Sequence, residues 1–153
     1  MKNVHQMIYL NTSKQEAWNV LADFGNAHKY FDGIIHSHLT GEASTGVGTS
    51  RHCELPPMMG MKQYIDEEIT DWQEGNEFTY IVTNTAAPIK NGIARWSVEG
   101  DEQKSTILVE ITYQPKGIIG FFMQKMLQTE FNKQIMAGLN DIKRKLEAKQ
   151  KPA

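Results

Sequence analysis

Arg51 and Glu67 are the pair of side chains best placed to do chemistry, because alternation puts both on the inner face of what read as adjacent strands. In Met61 to Trp72 the odd positions are Met61, Gln63, Ile65, Glu67 and Ile69, and the even ones are Lys62, Tyr64, Asp66, Glu68 and Thr70. Successive side chains of a strand point to opposite faces, so the more apolar odd set turns inward and takes Glu67 with it. An unpaired carboxylate is costly to ionise in such surroundings. Arg51 shares its face with Cys53 and Leu55 and is the candidate partner. The inward set from Asn76 to Asn84 is Phe78, Tyr80 and Val82, and from Gly92 to Val98 it is Ala94, Trp96 and Val98. Together these are expected to line a mostly apolar, aromatic chamber with a few polar anchors, the usual composition of a small-molecule site. Two chemistries suit it. Arg51, Glu67 or Tyr80 could orient the polar end of an apolar ligand, or Glu67 could act as general acid or base while Arg51 or Tyr80 steadies an enolate. The alternatives are that Arg51 and Glu67 form a structural ion pair or simply face solvent, and that Trp96 and Tyr80 are plain core.

Other constellations lead to less. His36 and His38 alternate on one strand face and two such imidazoles can ligate a metal. The opposite face holds Ile35, Ser37 and Leu39, so the histidines are expected to face water, and no carboxylate or cysteine completes a ligand set at recognisable spacing. We therefore expect no metal and no cofactor. Cys53 has no histidine on its own face and no nucleophile elbow is present, so no catalytic set is assigned. Leu55-Pro56-Pro57-Met58-Met59-Gly60-Met61 combines two stiffening prolines, a glycine pivot and three adaptable methionines. It reads either as a gate, with Met58 and Met59 touching ligand, or as a turn capped by buried methionines.

These residues need elements to hold them. Val4 to Leu10 favours a strand, Ser13-Lys14-Gln15-Glu16 has the pattern of a capping box opening a helix to about Ala22, and a second short helix carries Tyr30 and Phe31. Six strand candidates follow between Ile34 and Tyr113, separated at Gly46-Val47-Gly48, Pro56-Pro57, Glu74-Gly75-Asn76, Pro88 to Asn91 and Gly100-Asp101. From Ile118 to about Ala148 apolar residues recur at 119, 123, 127, 131, 135, 139, 142 and 146, one face of a long helix. Phe122, Met126 and Met136 widen that stripe toward the helix start. A long helix across a curved antiparallel sheet, with spare apolar surface at one end, makes a cavity, and Phe122 and Met126 become candidate ligand contacts.

Length and charge narrow the function classes. The 153 residues suit one domain spanning 1–153. A net charge of −2 gives no reason to expect nucleic-acid binding. The basic run Lys143, Arg144, Lys145, Lys149 and Lys151 reads as a solvated helix end with cations favourably placed against the dipole. The single cysteine excludes an intramolecular disulfide. Met1 to Gln6 lacks the continuous apolar segment of a signal peptide and no later stretch approaches a membrane span, so we expect a soluble, cytoplasmic protein.

The order strand, two short helices, six strands, long helix resembles the α+β helix-grip fold of the START and birch-pollen-allergen (SRPBCC) superfamily: a curved seven-stranded antiparallel sheet wrapped around the C-terminal helix. The resemblance is closest to the polyketide cyclase/dehydrase and lipid-transport family. It runs over nearly the whole chain. It rests on Thr12-Ser13 with Ala17-Trp18, Asp23-Phe24-Gly25, Gly46-Val47-Gly48-Thr49 before Arg51, Glu67-Glu68-Ile69, Phe78-Thr79-Tyr80, and Tyr113-Gln114-Pro115-Lys116-Gly117. The resemblance implies a ligand cavity between sheet and final helix, a loop closing its mouth, and no shared catalytic residue set. Such scaffolds serve carriers, receptors and enzymes alike. Three functions stay open: binding or transport of a small hydrophobic molecule such as a lipid, isoprenoid or polyketide-like aromatic; a cyclase or dehydratase; and a module docking on a protein or membrane through Ile118, Ile119, Phe121 and Phe122.

Overall fold

The computed structural model describes residues 2–149, so Met1 and Lys151 of the segments discussed above lie outside the described residues. The chain runs β1 (Lys2–Leu10), α1 (Lys14–Ala22), a 3-10 segment (Phe24–Lys29), β2 (His36–Leu39), β3 (Ser50–Met58), β4 (Met61–Gln73), β5 (Glu77–Thr85), β6 (Ile89–Gly100), β7 (Ser105–Pro115) and α2 (Gly117–Ala148). All seven strands form one antiparallel sheet in the order β1-β7-β6-β5-β4-β3-β2. Neighbours in sequence are neighbours in space except that β1 closes onto β7. This is the helix-grip architecture. Register shifts in β5 at Thr83, in β4 at Thr70 and in β6 after Lys90 are bulges that bend the long strands.

The alternating pattern holds across the sheet. Arg51 and Cys53 of β3, Glu67 and Ile69 of β4, Phe78 and Tyr80 of β5, and Ala94, Trp96 and Val98 of β6 are all buried on the concave face. His36 and His38 of β2 are exposed as expected, but of the opposite face only Ser37 is buried, while Ile35 and Leu39 are exposed. α1 begins as expected: the Ser13 hydroxyl accepts from the Glu16 amide at 3.1 Å. The other half of the capping box differs, because the Glu16 carboxylate accepts from the Thr12 hydroxyl at 2.6 Å. The second short helix also lies earlier than expected, ending at Lys29 before Tyr30.

Two expectations are corrected. The stretch from Pro56 to Met61 is no open loop: β3 runs through both prolines to Met58, β4 starts at Met61, and Met58 pairs with Met61 across a two-residue turn. Met59 (φ 53°) and Gly60 (φ 76°) are both left-handed, as a type I′ hairpin turn requires. The second correction concerns the start of α2. Leu127, Leu139, Ile142 and Leu146 are buried as the stripe predicts, but Ile119 is exposed and Gly120 faces the body instead. Repeated four-residue steps drift about 40° each on a helix of 3.6 residues per turn, so Ile119 stands roughly 80° away from the direction of Leu127. Gly120 is held there because its amide donates to Lys116 O and any Cβ would strike the Pro88 carbonyl oxygen.

Two buried clusters hold the fold. The larger joins α1, the 3-10 segment, the middle of the sheet and the C-terminal half of α2. Its outer end is sealed by Trp18 and Trp72, whose indole N–H groups both donate to Glu74, at 3.1 and 2.8 Å. The smaller, of Val4, Ile89, Tyr113 and Leu127, fixes the N-terminal half of α2. α2 lies along β1 and, less extensively, β7.

Candidate functional site

Four of the expected site residues meet at the centre of the concave face. Arg51 and Glu67 are directly opposite on β3 and β4, as are Ile69 and Tyr80 on β4 and β5. Arg51 Nε donates to Glu67 Oε1 at 2.7 Å, and Arg51 Nη1 donates to the Phe24 carbonyl oxygen at 3.1 Å. The guanidinium carbon lies 3.7 Å above the Phe24 ring and 5.3 Å from that of Tyr80, so the cation rests against the Phe24 face, with the Tyr80 ring beside it, as well as being paired. Trp96 Nε1 donates to Tyr80 Oη at 3.4 Å.

The electrostatics follow from this geometry. Burial opposes the charge on Arg51, but Glu67 outweighs it and holds the guanidinium protonated. Burial, reinforced by the neighbouring Glu67 charge, pushes the Tyr80 phenol well above its usual range. Cys53, the next inward residue of β3, is pushed up to about 12 by burial, partly offset by Arg51. It is therefore a neutral thiol with no nucleophilic character at ordinary pH.

Phe24 is the residue that the pattern of charges missed. It supplies a ring and a backbone carbonyl, and a carbonyl acceptor has no signature in residue types. The Asp23-Phe24-Gly25 break after α1 was the available signal. Gly25 allows β2 to close over it, since a Cβ there would meet the Leu39 side chain.

The expected chamber is narrower than the strand pattern implied. Phe24, Phe31, Phe78, Tyr80 and Trp96 fill its inner half with edge-on, tilted and stacked ring contacts at 5.8 to 6.4 Å. What is left beside Arg51, among Val20, Leu21, Ala27, Phe31, Phe78 and Trp96, is a cavity of about 10 Å³. That is close to the room one water needs. A larger depression of about 630 Å³ lies on the opposite, outer face of the sheet, over His38, Ser50, His52, Glu54, Asp66 and Glu68. It is open and polar and encloses nothing.

The remaining expected contacts are dispersed. Met58 is half-buried at the end of β3 and Met59 is exposed at the hairpin tip. Phe122 and Met126 are also exposed, at 78% and 47%, for the reason of helix phase given above. The structure thus separates a closed polar centre from the exposed apolar side chains of the hairpin tip and the start of α2. Between them lie Leu55, Ile65 and Val82, the next inward residues of β3, β4 and β5. All three are half-buried and belong to neither buried cluster. Ile65 pairs with Cys53, and Val82 pairs with Glu67 and leans over Gly92, where a Cβ would collide with it.

Among the described residues no group of histidine, cysteine or carboxylate side chains is arranged to hold a metal ion, and no helix is long and apolar enough to cross a membrane.

Comparison with solved structures places the fold. The chain is similar to the protein XoxI from Bacillus cereus, with a TM-score of 0.81 and 19% identity over 99% of this chain and 100% of that one. It is similar to the Zhui aromatase/cyclase from a Streptomyces species, with a TM-score of 0.83 and 14% identity over 98% and 96% of the two chains. A START superfamily protein from Mycobacterium smegmatis gives a TM-score of 0.76 and 10% identity over 97% and 99%. No curated protein sequence matches. The family model described as "Polyketide cyclase / dehydrase and lipid transport" matches residues 1–147, and with the helix-grip fold in place this chain belongs to that family.

Proposed function

We propose that the protein binds and carries a small, largely apolar molecule in the outer half of the concave face, between β3–β5 and the N-terminal half of α2, with the Arg51–Glu67–Tyr80 centre as the floor beneath its polar end. One observation carries this reading. Leu55, Ile65 and Val82 form an inward-facing apolar patch on three adjacent strands that no core element covers, because α2 lies along β1 and β7. Apolar surface left half-covered beside a polar centre fits a ligand that completes the burial. The carrier reading is preferred to a cyclase because Glu67 is engaged by Arg51 at 2.7 Å, and the guanidinium is in turn fixed by Phe24. A carboxylate so committed orients other groups more readily than it moves protons.

The test is a titration of delipidated protein with a long-chain fatty acid and with a naphthalene-sulfonate probe. Saturable binding is expected, weakened about tenfold or more by Val82→Asp, equivalent to about 1.4 kcal/mol. Leu55→Ser, at a half-buried site, checks that the loss does not come from unfolding. Absence of saturable binding in the wild type, or equal affinity in both variants at unchanged melting temperature, would overturn the reading.

A further inference from the structure

We infer that the α2 start and the β3–β4 hairpin tip form a docking surface for a lipid bilayer carrying anionic headgroups. The two features share one end of the molecule. The Ala86 amide donates to Tyr64 O, so the β5–β6 turn lies beside β4 near its hairpin end, and the Lys116 amide donates to Pro88 O, which ties the start of α2 to that same turn.

The apolar part of the surface is large for an uncovered one. Ile118, Ile119, Phe121 and Phe122 are 60–78% exposed, with the two phenylalanine rings edge-on at 5.7 Å. Met59 and Met61 are exposed at the hairpin tip, and Met59 is held there in a left-handed conformation that favours asparagine or glycine. An apolar side chain in that place contributes to a surface rather than to the turn. Isolated exposed apolar residues are ordinary, but contiguous ones mark interaction sites.

Charge decides the partner. In residues 56–65, 86–94 and 111–129 the charged side chains are all cationic, Lys62, Lys90, Lys116 and Lys125, and the nearest acidic residues, Glu54 opposite Tyr64, Glu110 and Glu130, stand at the margins of these segments. The chain as a whole is net −2, so its acidic excess lies elsewhere. Exposed aromatic and aliphatic side chains on segments whose charges are lysines match a bilayer interface, where the apolar groups enter the acyl boundary and the cations meet lipid phosphates. A second copy of this chain would oppose lysine with lysine. The docking surface adds a partner to the binding function proposed above and does not depend on it.

The experiment is sedimentation of the full-length protein with vesicles of phosphatidylcholine alone and of phosphatidylcholine mixed with phosphatidylglycerol. Binding to the anionic vesicles should exceed binding to the neutral ones and should fall as salt is raised. Phe121→Ser with Phe122→Ser, and separately Lys116→Glu with Lys125→Glu, should each weaken it about tenfold or more without shifting the melting temperature, because all four side chains are exposed. Val82→Asp should bind vesicles like the wild type, so that failure of ligand binding and failure of docking are told apart. No sedimentation of the wild type with anionic vesicles at low salt, or unchanged binding by both double variants, would overturn the proposal. So would a dimer in solution that the phenylalanine substitutions dissociate in a protein that ignores vesicles.

Discussion

At the scale of residues, the consequence of the site is that its parts stabilise one another and fail together. Arg51 and Glu67 are 8% and 4% exposed, and removing the cation leaves a buried carboxylate without its ion-pair partner. Arg51→Met should therefore destabilise the fold by about 3–5 kcal/mol. Arg51→Met with Glu67→Leu should recover much of that loss, because the pair is then replaced by apolar volume. Denaturant melts of the two variants check this, and equal losses would mean that the guanidinium matters through Phe24 and not through Glu67. Cys53 gives the pH dependence. Its folded thiol titrates at about 12 against an ordinary 9.0, so above pH 9 the unfolded chain has lost a proton that the folded chain keeps. The stability due to its burial is complete below pH 9 and declines by about 1.4 kcal/mol per pH unit as pH rises toward 12. Tyr80, raised in the same direction, steepens the decline. Cys53→Ala should flatten the slope by about one proton in melts taken between pH 8 and 11, and an identical slope in both proteins would show that the thiol is not buried. Much of this centre was legible in advance. A period of two residues placed Arg51, Glu67, Tyr80 and Trp96 on one face, because strand geometry leaves little freedom about facing. The role of Phe24 was not legible, since it depends on how far the 3-10 segment folds back over β3.

At the scale of elements, the β3–β4 hairpin shows where composition misleads. Pro56, Pro57 and Gly60 read as a break, yet both prolines sit inside β3, at the register shift between Leu55 and Met58 where ladder pairing is interrupted. The glycine serves the second position of a type I′ turn, and Met59 takes the first at φ 53°. A non-glycine residue in that region carries a cost of roughly 1–2 kcal/mol, which asparagine partly avoids. Met59→Asn should accordingly raise stability by an amount on the order of 1 kcal/mol, while removing one apolar side chain from the surface proposed to meet lipid. A drop in stability would show that the tip does not hold this turn. The long helix makes the complementary point. Leu127, Leu139, Ile142 and Leu146 followed the apolar spacing, whereas at the helix start the tertiary contact went to Gly120 and the Pro88 carbonyl and left Ile119 exposed.

At the scale of the whole molecule, the two buried clusters divide the protein into a firm end and a lightly held one. The firm end packs α1, the 3-10 segment and the C-terminal half of α2 on the sheet, with Gly138 so close to the Phe31 ring that a Cβ there would collide with it. The start of α2 is anchored by the four-residue cluster around Leu127, against which Met123 packs, and by the Lys116 and Gly120 amides, while Ile118, Ile119, Phe121, Phe122 and Met126 stand in solvent. Local opening is cheapest where few apolar contacts must be broken, so the two halves of one helix should differ in stability. Amide hydrogen exchange should be fast from Ile118 to Met126 and slow from Leu139 to Leu146 in the free protein. Adding a bound fatty acid or anionic vesicles should slow exchange in the first segment and leave the second unchanged, because only the first carries the exposed apolar side chains and belongs to the proposed binding region. The physical basis is that a ligand can stabilise only the states to which it binds, and it adds little where the native contacts are already complete. Uniform protection along α2 without ligand would show that the helix opens as one cooperative unit. The mouth would then be as rigid as the core, and exchange of an apolar molecule through it would require opening of the whole fold.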